Sequence, residues 1–250
     1  LVKINEGDIM ALPKIDTPTY ELILPVSKKK IKFRPFLVKE QRNLLMAMES
    51  NETADVHLAI KDILNNCTLS EKFEIDKLPI IDIEYYFINL RAKSVGEVVE
   101  SKYRCNNIVG DKECGNTMDS KLNLLNVKVQ MNEDIKPEIQ ITNKIIVKFK
   151  YPEFGMIKES LKYDNINELT FHMIAQSIEY IYDGEQYYYA HESSPQELVE
   201  FVESLNQEQF SKIENFFTNL PKLNEKIHMT CSKCGFHHTI EVEGLESFFG

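Results

Sequence analysis

Four cysteines in two matched settings are the residues of this sequence best suited to chemistry. Cys105 and Cys114 stand in Tyr103-Arg104-Cys105 and Glu113-Cys114-Gly115, and Cys231 and Cys234 in Thr230-Cys231-Ser232-Lys233-Cys234-Gly235. Each pair ends in a glycine. A zinc knuckle needs that residue, because the turn that aims backbone amides at sulfur closes with a positive φ. Two such turns supply four thiolates, the ligand set of a structural Zn2+ whose shell is closed to water and substrate. The first pair departs from CxxC spacing, since residues 106–113 intervene, and the two pairs lie far apart in the chain, so tertiary folding must assemble the site. Two other readings stay open: four reduced cysteines at two turns, and a redox CxxC at Cys231 and Cys234. No thioredoxin-like βαβ pattern precedes the latter. His228, His237 and His238 could replace one ligand, although histidines on a strand beside such a ribbon more often face solvent. Cys67, alone at the end of a helical pattern, reads as a small buried hydrophobe. With five cysteines and no export signal, a disulfide framework is not expected.

Catalytic signatures are missing elsewhere. The sequence holds no GxSxG, P-loop, GxGxxG or HExxH, and His57, His172 and His191 are singletons. This moves the expectation away from an enzyme and toward binding or scaffolding.

The elements that must position the cysteines follow from periodicity. Alternation over 20–26 and 30–34 predicts a β-hairpin, followed by helices over 38–50, with Leu37, Leu44, Leu45 and Met48 on one face, 53–67, and 80–92 with Ile83, Phe87 and Leu90 inward. Strands at 95–104 and 118–131 flank the first cysteine pair. A second hairpin spans 138–151, then helices near 153–161 and 168–178 and a short hairpin on Asp183-Gly184. Tyr187, Tyr188 and Tyr189 read as strand and core-edge material. Ser194-Pro195-Gln196-Glu197 is a capping box with Pro in the first turn, and Asn206 caps the next helix, so a helical hairpin is expected. Leu198, Val199, Val202 and Leu205 form the stripe of its first helix, and Phe210, Ile213, Phe217 and Leu220 that of its second. Two strands within 226–243 surround the second cysteine pair, and a tail with Leu245, Phe248 and Phe249 ends the chain.

Segments 21–35 and 138–152 share two alternating strands, a polar turn, a Lys-Phe-basic triplet and a proline, which duplication or chance similarity between hairpins of one composition would equally produce. The expected fold is α+β: two similar hairpin-plus-helices halves, 20–133 and 134–250, joined by a split zinc-ribbon-like four-cysteine site. A 1–19 extension precedes them, and 134–138 with Pro137 is the hinge.

With 250 residues, 29 Lys+Arg against 39 Asp+Glu and a net charge of -10, the chain repels a phosphate backbone at long range, so nucleic acid is not the expected partner. The basic stretch at Lys28, Lys29, Lys30, Lys32 and Arg34 reads as a solvated strand face. The longest apolar run, 44–48, is far too short to span a bilayer, and charges interrupt the first residues, so no membrane segment or signal peptide is read and a cytosolic product is expected.

Ile31-Lys32-Phe33-Arg34-Pro35-Phe36, leading into Lys39-Glu40 and 44–50, resembles the opening of the small hub-subunit and hub-assembly proteins of T4-like bacteriophage baseplates. Leu90-Arg91-Ala92-Lys93-Ser94-Val95-Gly96-Glu97, Tyr103-Arg104-Cys105, Cys231-Ser232-Lys233-Cys234-Gly235 and 244–249 fit the same family. The resemblance implies a non-enzymatic tail protein acting in assembly or structure of the central baseplate hub. Its partners would be other hub or tail proteins, and its place the virion baseplate or, during assembly, the host cytoplasm. The Phe248-Phe249 tail would dock on such a partner or pack on its own domain. The competing classes are a zinc-ribbon nucleic-acid-binding or transcription-associated protein and a dithiol oxidoreductase.

Overall fold

A computed structural model describes residues 15–50, 52–132, 134–160, 162–163 and 165–243. Most of the 1–19 extension and the tail with Leu245, Phe248 and Phe249 lie outside them. The fold is mixed α+β, with several small sheets and seven α-helices among the described residues.

Strands β1 (Tyr20–Ile23) and β2 (Lys30–Phe33) form the first hairpin, with Tyr20 opposite Phe33. Ile31 and Phe33 point into the core while Lys30 and Lys32 face water, as the period of two requires. Helices α1 (Val38–Glu49), α2 (Thr53–Cys67) and α3 (Ile80–Ser94) follow. The first core gathers Leu24, Phe33, Ile63, Leu64, Tyr86 and Phe87 between hairpin and helices. Cys67 is fully buried there, as expected, and burial pushes its thiol up to about 11.

Helix α1 departs from the sequence reading. Of the expected stripe only Leu44 is buried, while Leu37, Leu45 and Met48 are exposed. The inward face is instead built on a carboxylate: Glu40 accepts from the Leu37 amide at 2.7 Å and from Arg34 Nη2 at 3.0 Å. Burial raises its pKa, but that amide and the Arg34 guanidinium outweigh burial and hold it below the usual carboxylate value.

Helix α3 is buried on two sides. Ile83, Tyr86, Phe87 and Leu90 face the first core. Ile81, Ile88 and Ala92 face another, formed with Val99, Leu122, Val127, Leu223 and Val242. Strand β3 (Val98–Arg104) pairs with β6 (Thr117–Asn123), and the small hairpin β4 (Ile108–Val109) and β5 (Lys112–Glu113) lies between them in sequence. The expected strand 118–131 is interrupted by a 3-10 turn at Leu124–Asn126 before β7 (Lys128–Gln130), which joins β12 (Lys222–Thr230) and β13 (His237–Glu243) in one antiparallel sheet.

The remaining sheet has the order β11-β10-β9-β8, with β8 (Glu138–Gln140), β9 (Ile146–Phe149), β10 (Ile178–Tyr182) and β11 (Tyr187–Tyr189). Helix α4 (Met156–Ser160) is shorter than the pattern implied, and α5 (Ile166–Gln176) ends before Ile178, which belongs to the sheet. The capping boxes at Ser194 and Asn206 start α6 (Pro195–Glu203) and α7 (Gln207–Thr218). These helices do not lie side by side as a hairpin: α6 packs chiefly against α5, and both α6 and α7 bury residues under the sheet. Phe216 rather than Phe217 is the fully buried ring of α7, stacked on Phe149 at 5.7 Å.

Residues 152–155 stitch the later helices to the earlier ones. Ile80 N–H donates to Pro152 O at 2.9 Å, Phe154 N–H to Leu78 O at 2.8 Å, and the Phe154 ring enters the first core.

Candidate metal centre

Both cysteine turns sit at the tips of antiparallel ladders. Cys105 follows β3 and Cys114 precedes β6, while Cys231 and Cys234 lie between β12 and β13. The tips are built alike. Cys105 N–H donates to Asn116 O at 2.8 Å and Gly115 N–H to Cys105 O at 3.0 Å; Cys231 N–H donates to Phe236 O at 2.9 Å and Gly235 N–H to Cys231 O at 2.8 Å. Gly115 and Gly235 hold φ of 64° and 72°, the left-handed conformation expected of each.

The long gap in the first pair has a structural cause. Cys114 N–H donates to Asn107 O at 2.8 Å, closing the base of the β4-β5 hairpin, which spans 108–113. Without that hairpin only Asn106 and Asn107 would separate the cysteines, as Ser232 and Lys233 separate the second pair. The first tip is a CxxC knuckle with a hairpin inserted before its second cysteine.

The four sulfurs lie within 4.8 Å of one another. Cys105 Sγ is 3.6 Å from Cys234 Sγ, and Cys114 Sγ is 3.7 Å from Cys231 Sγ, so the close contacts run between the tips. These distances are too long for S–S bonds. They match the edge of a tetrahedron of sulfurs about 3.8 Å apart around an ion at about 2.3 Å.

Each sulfur faces the amide two residues further on: Asn107 for Cys105, Asn116 for Cys114, Lys233 for Cys231 and Phe236 for Cys234. Side chains add donors across the gap. Asn107 Nδ2 reaches Cys234 Sγ at 3.6 Å, Asn116 Nδ2 reaches Cys231 Sγ at 3.4 Å, and His238 Nε2 lies 3.1 Å from Cys105 Sγ. His238 therefore stands beside the sulfur set, while His228 and His237 bond to Thr239 and Thr230 instead. The Asn pair carried no signal in the sequence, because a donor reaching the opposite knuckle is visible only once the two tips meet.

Burial pushes the Cys105 thiol up to about 12, against the Asn107 amide. At Cys231 burial also opposes ionisation, but the amides of Cys234 and Lys233 and the Asn116 side chain pull the thiol down to about 6. A dithiol oxidoreductase needs such a thiolate within reach of a substrate, and Cys231 is only 1% exposed. Three buried cysteines and the half-buried Cys234, their sulfurs faced by N–H donors, form an anion-stabilising pocket of tetrahedral size, and they are close enough to bind one metal ion.

The sheet that carries Cys231 and Cys234, the ladder that carries Cys105 and Cys114, and the helices packed on them all fall within residues 17–250, which match the T4 bacteriophage base plate protein family. The chain belongs to that family. No curated protein and no solved structure matches it. Membership makes this a baseplate protein of a phage tail, of a structural family, whose contacts are with other tail or baseplate proteins. No helix among the described residues of this baseplate protein is long and apolar enough to cross a membrane.

Proposed function

We propose that this baseplate protein acts in assembly or structure of the central hub, without enzymatic activity, as a rigid block that binds other hub or tail proteins. The observation that carries this reading is the family match across 17–250. The segments around Phe33-Arg34-Pro35 and Cys231–Gly235 that resemble hub-assembly proteins support the narrower hub assignment. In the same proposal Cys105, Cys114, Cys231 and Cys234 hold a structural Zn2+. It would join two hairpin-plus-helices halves, 20–133 and 134–250 with 134–138 between them, as a split zinc ribbon. All-thiolate ligation and cross-tip sulfur spacing near 3.7 Å support the metal, and a full tetrahedral shell leaves no position for substrate. The protein would be made in the host cytoplasm and end in the virion tail.

Native mass spectrometry of the purified protein tests the metal, with one Zn2+ per chain expected and an apo mass overturning it. Affinity purification from infected cells tests the role. Recovery of hub proteins in stoichiometric amounts is expected. Recovery of only peripheral baseplate or sheath proteins would remove the hub assignment and leave the family intact.

A further inference from the structure

The β11-β10-β9-β8 sheet ends in a strand made entirely of tyrosine. Tyr187, Tyr188 and Tyr189 are 53%, 44% and 41% exposed, against the expectation that this triplet packs at a core edge. Tyr187 lies opposite Tyr182 and Tyr189 opposite Tyr180, so four rings share the sheet face away from the helices. They pack on one another: Tyr182 and Tyr187 are 4.7 Å apart, Tyr180 and Tyr187 5.2 Å, and Tyr187 and Tyr189 are stacked at 6.1 Å. Tyr180 Oη also donates to Glu138 at 2.6 Å, which orients the array from across the sheet.

The backbone beside these rings is open. Asp183 N–H donates to Gln186 O, which fixes the alternation of the hairpin: Ile181 and Tyr188 exchange hydrogen bonds, while Tyr182–Tyr187 and Tyr180–Tyr189 do not. Tyr187 therefore turns its N–H and C=O, and Tyr189 its N–H, away from β10. Among the described residues no strand pairs with that edge. Natural sheets blunt such edges with short strands, lysine, proline or bulges; β11 is short, three residues, but carries no lysine, proline or bulge.

We infer that this edge is a docking site that takes an added β-strand from another tail protein, with Tyr187 and Tyr189 as the aromatic anchors beside the new main-chain bonds. The occupant is an extended segment carrying Lys or Arg. Asp183 and Glu185 stand at one end of β11 and Glu192 at the other, with Glu138 beyond Tyr180; among the basic groups nearby, Lys148 is paired with Glu179 at 3.1 Å, His191 lies 3.9 Å from Glu192 and Lys144 packs beside Gly184, so carboxylates outnumber cations around this edge. The same carboxylates disfavour a second copy of this chain, whose antiparallel pairing would set acidic ends against each other. The inference rests on the reading that this protein works through contacts with other tail proteins, and it does not involve the metal.

The test uses the full chain and an acetylated hexapeptide alternating Val or Thr with Lys, followed by amide NMR. Expected are shifts and slowed hydrogen exchange at the Tyr187 and Tyr189 amides. Binding should be at least tenfold weaker for the peptide with Glu in place of Lys, and lost for one N-methylated along the edge facing β11. Tyr189→Pro should also weaken binding at least tenfold: φ at Tyr189 is −83°, close to that of proline, and the lost N–H points outward. No shift at those amides at millimolar peptide, or equal binding of the Glu and N-methylated peptides, would overturn strand addition. A concentration-dependent dimer abolished by Tyr189→Pro would assign the edge to a second copy instead. Undiminished recovery of hub proteins by Tyr189→Pro would remove the edge from assembly while leaving the hub reading standing. Peptide binding without any hub recovery would do the reverse.

Discussion

Replacing Cys114 or Cys231 with serine removes one sulfur from a four-cysteine cluster in which only Cys234 is partly exposed, and so one ligand from the proposed metal. The expected result is loss of the metal from native mass spectra and destabilisation of about 4 kcal/mol or more in urea, the range typical of a lost structural metal. Cys67→Ser is the control: it disturbs the first core and leaves the metal mass unchanged. At the knuckle glycines the expectation is the same for the two tips. An alanine Cβ at Gly235 meets nothing within 4 Å, so Gly235→Ala carries only the left-handed backbone penalty of about 1–2 kcal/mol. At Gly115 the Cβ would stand 3.4 Å from Arg104 Nη2, the movable end of a long side chain at contact distance, so Gly115→Ala carries that backbone penalty too. Urea titrations should show similar, modest losses for both. The cysteines and both glycines were legible from residue type and spacing alone. His238 stood out only as one of three candidate histidines, and Asn107 and Asn116 not at all, because their roles depend on which tip faces which.

Among the elements, the β4-β5 hairpin is the clearest case of a sequence irregularity with a local cause. Ile108 and Val109 are exposed, and the hairpin meets the knuckle through the Cys114 N–H to Asn107 O bond. Deleting 108–113 should restore a CxxCG turn and keep one metal per chain, with the melting temperature changed by only a few degrees; a chain that no longer binds metal would show that the hairpin shapes the site. The first hairpin depends on a different device. Asp82, fully buried in the first turn of α3, accepts the Val26 and Ser27 amides at 2.8 Å each and so pins the turn after β1 to the helix. Asp82→Ala leaves two amides without their acceptor and should cost about 3 kcal/mol, with faster hydrogen exchange at Val26 and Ser27. Asp82→Asn keeps one carboxamide oxygen and should recover part of the loss. Periodicity located the first hairpin and α1, α2 and α3 to within a few residues, yet it missed the β4-β5 hairpin and misread the face of α1. Apolar spacing favoured Leu37, Leu45 and Met48. The inward face instead holds buried Glu40, paired with the half-buried Arg34, and no count of hydrophobic positions registers such a pair.

At the scale of the molecule, segments far apart in sequence are interlocked: β7 completes the sheet of β12 and β13, and Phe154 enters the core of the first helices. Similar hairpins at 20–33 and 138–149 were visible in the sequence. The pairing of β7 with β12 was not, since short alternating strands carry no record of their partners. Between these segments lies a cavity of about 220 Å³ walled by Pro79, Tyr151, Pro152 and Leu220, with Glu84 and Glu243 on its lining. Burial, aided by the Glu243 carboxylate, pushes Glu84 up to about 7. A carboxyl whose folded value lies above its unfolded one binds more protons in the folded state. Stability is therefore highest below about pH 4.5 as far as this group is concerned, falls as the pH rises toward 7, and stays reduced above it. Glu84→Gln removes the ionisable group and keeps its shape. It should stabilise the protein by about 1–3 kcal/mol at pH 8 and change little at pH 4, as read from urea unfolding at the two pH values. Equal stability of Glu84→Gln and the parent protein at pH 8 would mean that the cavity admits enough water to solvate the carboxylate. The junction of α3 with the 151–152 and 220–223 segments would then be looser than its half-buried prolines and buried Leu223 imply.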